Sequence, residues 1–336
     1  MKKNVKTIAV TLAAALLTNV MPVIEAADTS KKVVLGGQPF GVKFYNDGVM
    51  VIELEEFYNG SHYVCPAKSG GLKVDDVIKK VNGKEIKTNE DLQDAASGCG
   101  GKAMQIVIER SGKELCKSVI PETNTVGSYL LGAWVRDSCA GIGTVTYYDP
   151  GHSYFAALGH GICDRDTGAM MPLGKAEIVG ACISSAEKSS TGKAGSLNGY
   201  FTDKTLGTLT DNTSNGIFGT INDYSFCDGN QLEIADFDEI TTGSAEILTT
   251  IHNETPERYT IEITAIRNND PRNNENFVIK VTDQRLLDEC GGIVQGMSGS
   301  PIVQNDKLVG AVTHVFLHHP AEGYGVAAQF MVSDNV

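Results

Sequence analysis

The stretch Gly291-Gly292-Ile293-Val294-Gln295-Gly296-Met297-Ser298-Gly299-Ser300-Pro301-Ile302 decides how the rest of the chain is read. An apolar pair, Ile293 and Val294, runs into a glycine turn, and a second apolar run follows from Pro301. The expected local structure is strand, tight turn, strand. The turn presents one hydroxyl, Ser298, between residues that leave room around it. Glycine at positions 296 and 299 permits backbone angles that other residues resist and lets a second backbone come close. The amides of Gly296 and Ser298 can then converge on one point, as stabilisation of an oxyanion requires. A glycine-rich hairpin with an idle serine is the competing reading of this stretch taken alone.

A serine hydroxyl is a weak nucleophile until a base removes its proton. Of the seven histidines, His160 has the most suggestive setting, Phe155-Ala156-Ala157-Leu158-Gly159-His160-Gly161-Ile162. An apolar strand delivers it between two glycines, the same exposure device as around Ser298. As general base with an ordinary histidine pKa, it predicts activity that falls as pH drops through about 6.5. His314, in Thr313-His314-Val315, reads as a strand residue near the site. His314, His318 and His319 have metal-like spacing but no acidic company, so no metal and no cofactor is expected. A third member should be a carboxylate that orients the imidazole. Asp283 ends an apolar strand upstream of the serine. Asp203 and Asp211 follow His160 at an interval that also suits the role. Each is equally readable as a solvated loop carboxylate.

At 336 residues the chain is long enough for two domains, at about 150 residues each. A net charge of -13 argues against nucleic acid as a partner, since that demands a basic face. Residues 1–27 read as an export signal or a retained membrane anchor, with Lys2, Lys3 and Lys6 ahead of an apolar run. None of the eight cysteines lies in a Cys-x-x-Cys pair, which argues against zinc; disulfides and buried thiols both fit.

Residues 66–86 are the second informative stretch. Gly70-Gly71-Leu72 starts a turn, Asp75-Asp76 leads into the strand Val77-Ile78, and Asn82-Gly83 is a hairpin signal. Thr88 caps a helix expected over 89–96, with Asp91 at its third position. Two strands around Met104 to Ile108 and Leu115 to Ile120 follow. Over residues 44–121 this order resembles a bacterial PDZ domain. Such a domain takes an extended peptide as an added strand between one strand and one helix. By resemblance the receiving strand spans residues 49–54 and contributes Val49, Val51 and Leu54. Residues 122–126 are a polar linker. From residue 127 onward short β-prone runs alternate with turns, the pattern of an all-β sandwich or barrel. Residues 184–199 and 268–276 read as loops.

The pattern Gly296-x-Ser298-Gly299-x-Pro301 resembles the nucleophile turn of trypsin-like serine peptidases. Leu158-Gly159-His160, Arg136-Asp137 with Ala140-Gly141-Ile142-Gly143, Thr282-Asp283, the whole Gly291 to Ile302 stretch and Gly310-Ala311-Val312-Thr313-His314-Val315 are similar to the SpoIVB peptidases, the stage IV sporulation protein B family. The resemblance implies a mainly β chain: a signal or anchor (1–27), an N-terminal segment (28–43), a small α+β PDZ domain (44–121) and a trypsin-like double β-barrel serine peptidase domain (127–336). It implies a catalytic set of Ser298, His160 and Asp283, with the backbone of Gly296 and Ser298 as oxyanion hole. It also implies an exported enzyme of the space between the two spore membranes, which cleaves itself and a membrane-bound regulator. That cleavage triggers intramembrane proteolysis and late sigma-factor activation. An envelope quality-control PDZ protease and a non-catalytic PDZ scaffold are the alternatives.

Overall fold

A computed structural model describes residues 32–222 and 231–331. The expectation for residues 1–27 lies outside the described residues, as does Cys227. Strands β1 (Lys32–Leu35) and β2 (Pro39–Leu54) open the fold. The PDZ region supplies β3 (Val77–Val81), α1 (Asn89–Gly98), β4 (Met104–Arg110) and β5 (Lys113–Val119). Then come β6 (Ala133–Asp149), β7 (Tyr154–Ala157), β8 (Leu173–Glu187), β9 (Ser196–Thr213) and β10 (Gly216–Ile221). The C-terminal part has β11 (Gln231–Ile234), β12 (Gly243–Thr249), β13 (Glu257–Ile266), β14 (Phe277–Val281), α2 (Gln284–Cys290), β15 (Pro301–Gln304), β16 (Lys307–Phe316) and β17 (His319–Ala327).

Strand pairing closes two rings. In the first, β2 pairs with β6, β6 with β7, β7 with β10, β10 with β9, β9 with β8, and β8 returns to β2. In the second, β12 pairs with β13, β13 with β14, β14 with β17, β17 with β16, β16 with β15, and β15 returns to β12. Closure pairs each ring strand on both sides over part of its length; β8 beyond Gly180 and β9 before Gly207 extend past the ring and pair there with each other. Alternation selects the inner face. In β13, Tyr259, Ile261 and Ile263 are buried while Thr260 and Glu262 are exposed. Phe40, Phe44, Phe155 and Ile178 fill the first barrel; Ile247, Ile261, Phe277 and Ile302 fill the second. The fold is thus mainly β: a small α+β region with the expected PDZ element order, joined to two closed barrels.

The PDZ helix forms where the sequence indicates, with Thr88 and Asp91 closing a reciprocal capping box. Asn82 and Gly83 both take left-handed angles, as a tight β3 hairpin needs. Three expectations differ. Residues 32–43 of the expected N-terminal segment (28–43) do not stand apart: β1 and the first half of β2 pair within the sheet of the first barrel, and only the far end of β2 joins β3. The apolar alternation of Val42 and Phe44 is what the first barrel buries. The loop at 184–199 is shorter, because β8 runs to Glu187 and β9 begins at Ser196. Ahead of Ser298 stands no strand but helix α2, capped by Asp283 and ended by left-handed Gly291. Ile293 and Val294 are buried without a ladder of their own. The seven described cysteines are free thiols, with Cys65 and Cys290 buried.

Candidate active site

The serine turn is fastened to the first barrel through its carbonyls. Thr144 Oγ1 donates to the Gly296 carbonyl at 2.8 Å, the Thr144 amide to that of Ser298 at 3.0 Å, and Thr146 Oγ1 to that of Gly299 at 2.8 Å. Gly299 has φ of 94°, and a Cβ there would lie 2.0 Å from the Thr144 carbonyl oxygen, so only glycine fits. The amides of Met297, Gly299 and Ser300 are spent on Val294, Val312 and Met297 carbonyls. Those of Gly296 and Ser298 have no such partner among the described residues. These are the two amides the sequence singles out, and unspent donors flanking a nucleophile are what an oxyanion hole needs.

Ser298 and Ser300 part company here. Ser300 is fully buried and donates to Thr249 Oγ1 at 2.9 Å. Ser298 is half-buried and lines a cleft of about 380 Å³. Its Oγ donates to the Thr313 carbonyl at 2.9 Å. The same cleft is lined by His160. The approach to this histidine is unusual backbone: Leu158 and Gly159 are both left-handed, with φ of 67° and 70°. A left-handed leucine is costly and marks a position that its surroundings hold in place. Here the Leu158 amide donates to the Thr144 carbonyl, so Thr144 ties the histidine approach and the serine turn together.

His160 Nδ1 lies 2.8 Å from the Gly161 carbonyl oxygen. A carbonyl only accepts, so Nδ1 carries the proton and Nε2 keeps its lone pair. Burial pushes the His160 imidazole down to about 4, with the Gly161 bond opposing and the neighbouring His314 adding to the fall. The two rings stand 5.2 Å apart. His160 is therefore neutral at pH 7 in the tautomer a general base needs.

Asp283 is not brought to His160. Its carboxylate accepts from the Arg285 amide at 3.0 Å, from Arg285 Nη2 at 2.9 Å and from the Thr260 amide at 3.3 Å. Arg285 above all holds its pKa below the ordinary value. A residue that caps a helix and pairs with an arginine in the first turn has its lone pairs engaged there. The geometry assigns the orienting role, expected of Asp283, to the Gly161 carbonyl. Asp203 and Asp211 do not line the cleft either; Asp211 accepts from the Thr210 hydroxyl at 2.8 Å. Sequence reading missed Gly161 because a backbone carbonyl leaves no mark in a sequence. It also missed Asp164, which Asp164-Arg165-Asp166-Thr167-Gly168 marks as a side-chain-built turn.

The receiving strand of the PDZ domain is already filled. Residues 133–136 of β6 lie antiparallel to it, pairing Ala133 with Leu54, Trp134 with Glu53, Val135 with Val51 and Arg136 with Met50. Val49 and Val51 point into the PDZ core, both at 0% exposure, so they are not groove-lining side chains as expected. Leu54 packs partly against the same core. A cavity of about 250 Å³ remains between α1 and the inserted strand, bounded by Leu92, Ala96 and Trp134.

A family model described as SpoIVB peptidase S55 matches residues 127–332, more than half of the chain, and a PDZ-domain model matches residues 64–110. Curated relatives include the mitochondrial serine protease HTRA2 of Drosophila willistoni, 42% identical over 57 residues, 17% of this chain and 13% of that protein. HTRA2 of Drosophila sechellia is 40% identical over a stretch of the same length, so the chain spans only 13% of these relatives. Among solved structures, the Rv3671c protease of M. tuberculosis in its inactive form is 13% identical, over 56% of this chain and 80% of that one, with a TM-score of 0.33.

Proposed function

Because the chain belongs to the SpoIVB peptidase S55 family, we propose that it is a serine endopeptidase acting in sporulation through Ser298 and His160. The observation that carries the chemistry is the shared cleft: a nucleophile, a neutral imidazole bonded through Nδ1, and two amides without a backbone partner among the described residues. Ser298 Oγ leaves the Thr313 carbonyl and gives its proton to His160 Nε2 as it attacks the scissile carbonyl. The amides of Gly296 and Ser298 hold the oxyanion that forms. His160 then donates the proton to the leaving amine, and water repeats the sequence to release the acyl group. Catalytic hydrogen bonds commonly tighten only once substrate is bound, so the resting Ser298–Thr313 bond is compatible with this.

Family membership supports the finer reading. The chain is exported, works in the space between the spore membranes, and cuts itself and a membrane-bound regulator, which triggers intramembrane proteolysis and late sigma-factor activation. The test is direct. A fluorophosphonate should label the full chain at Ser298 and leave the Ser298→Ala variant unlabelled. The same variant in a spore-forming host should leave the regulator uncut and the late sigma factor inactive. An unlabelled wild-type chain defeats the enzymatic reading; a labelled chain whose Ser298→Ala variant sporulates normally defeats the sporulation reading alone.

A further inference from the structure

Strand β6 passes through two sites. Its first residues, 133–136, occupy the PDZ groove as an added strand. The seat is well made. The carbonyls of Leu131 and Gly132 accept the Ala67 and Glu55 amides at 2.8 and 3.0 Å, and Trp134 Nε1 donates to Glu55 Oε2 at 2.6 Å. Leu131 is 6% exposed and packs in one core with Leu92 and Ala96 of the PDZ helix. The pairing with β2 is irregular between Arg136 and Ser138, where β6 passes from the PDZ end of β2 to its barrel end. Asp137 faces back, accepting from the Asn89 amide at the start of α1 at 2.8 Å. Beyond it, Gly141 and Ile142 wall the catalytic cleft.

Arg136 sits at this junction and faces the cleft. One of its terminal nitrogens donates to Asp164 and the other to Asp166 at 2.7 Å. The Asp164 side chain is 0% exposed. Its other oxygen accepts the Asp166 and Thr167 amides, each at 2.9 Å. Burial raises its pKa, but the Thr167 and Asp166 amides and Arg136 outweigh this and hold the carboxyl below its ordinary value. Asp164 thereby folds the turn at residues 164–168, which begins three residues after Gly161, whose carbonyl orients His160. A buried carboxylate stripped of its cation is costly, and the turn built on it would shift.

We infer that Arg136 is a positioning residue: anchored in the strand seated in the PDZ groove, it clamps Asp164 and so holds the His160 loop in its working shape. This rests on the peptidase reading, and it predicts that catalysis depends on a residue outside the reacting set. Three full-length proteins should be compared on a short peptide: wild type, Arg136→Gln and Arg136→Lys. Arg136→Gln should lower kcat at least about tenfold with KM within about twofold, because loop shape and not substrate binding is lost. Arg136→Lys keeps a cation for Asp164 and should recover most of that loss. Trp134 is the single tryptophan of the chain, so its fluorescence reports whether the strand is still seated. Its emission should be the same in all three proteins. A wild-type kcat in Arg136→Gln overturns the inference, as does a lysine variant no better than the glutamine one. A shifted Trp134 emission in Arg136→Gln also overturns it, since the loss would then come from the PDZ groove. Fluorophosphonate labelling of the wild-type chain keeps failure of the inference distinct from failure of the peptidase reading.

Discussion

His160 Nδ1 and the Gly161 carbonyl oxygen are 2.8 Å apart, so the imidazole is oriented by the backbone of the very next residue. A neutral acceptor fixes the tautomer as a carboxylate would, but offers less to stabilise the imidazolium that forms during catalysis. Burial makes that imidazolium harder still to form. The site therefore combines a base that is neutral near pH 7 with an imidazolium that its surroundings do little to stabilise.

The first prediction concerns pH. Ordinary histidine behaviour puts the acid limb of activity near 6.5. In the structure burial, with His314, moves His160 to about 4. The base form persists above that value, so hydrolysis of a short peptide should continue well below pH 6 and reach half its plateau near pH 4. The stability effect has the same sign. Between 6.5 and about 4 the unfolded chain binds a proton that folded His160 resists, so stability falls as pH drops through that window. A rate profile from pH 3.5 to 8 with its midpoint near 6.5 contradicts this.

The two serines of the turn should separate cleanly. Ser298→Ala should cost on the order of 10⁴ to 10⁶ in kcat, as loss of a serine nucleophile does. Ser300→Ala should leave kcat within a few-fold and instead lower stability by about 1–3 kcal/mol, because it strands the buried Thr249 hydroxyl. Kinetics and thermal unfolding on both variants decide it; equal loss of kcat in two folded variants reverses the assignment.

Asp283→Ala is expected to act on stability. A triad aspartate would cost about 10⁴ in turnover when altered. A helix N-cap is worth about 1 kcal/mol. Its bonds to Arg285 and Thr260 place Asp283 in the second class. The variant should therefore melt earlier and keep kcat within about tenfold. A loss of several thousandfold in a folded Asp283→Ala protein restores the aspartate to the catalytic set.

Peptides offered to the PDZ domain should bind the intact chain weakly, because residues 133–136 must first leave the strand they cover. The apparent affinity is reduced by the fraction of molecules with the groove open. Trp134 reports that event, so titration with an extended apolar peptide should change its emission only where binding occurs. Micromolar binding with no change in Trp134 emission means that peptides use another surface.

Much of this protein was legible from its sequence, wherever a local pattern has one physical solution. The strand read around Met104 to Ile108 buries Met104, Ile106 and Ile108, the alternate positions. The glycines around Ser298 marked a turn with two amides to spare, and Thr88 with Asp91 marked the helix start. The apolar run before it and the glycines on either side pointed to His160 as the candidate base. What the tertiary structure decided were choices between equivalent local signals. Asp283, Asp203 and Asp211 are alike as aspartates on a β-rich chain; only packing shows that Asp283 is consumed by Arg285 and a helix cap. Nothing in the residue Gly161 announces that its carbonyl holds an imidazole, because every residue has a carbonyl. Residues 133–136 read as one of the β-prone runs that follow residue 127, and they lie in β6. That they also fill the PDZ groove follows from pairing with a strand some eighty positions earlier, a long-range contact that no local pattern encodes.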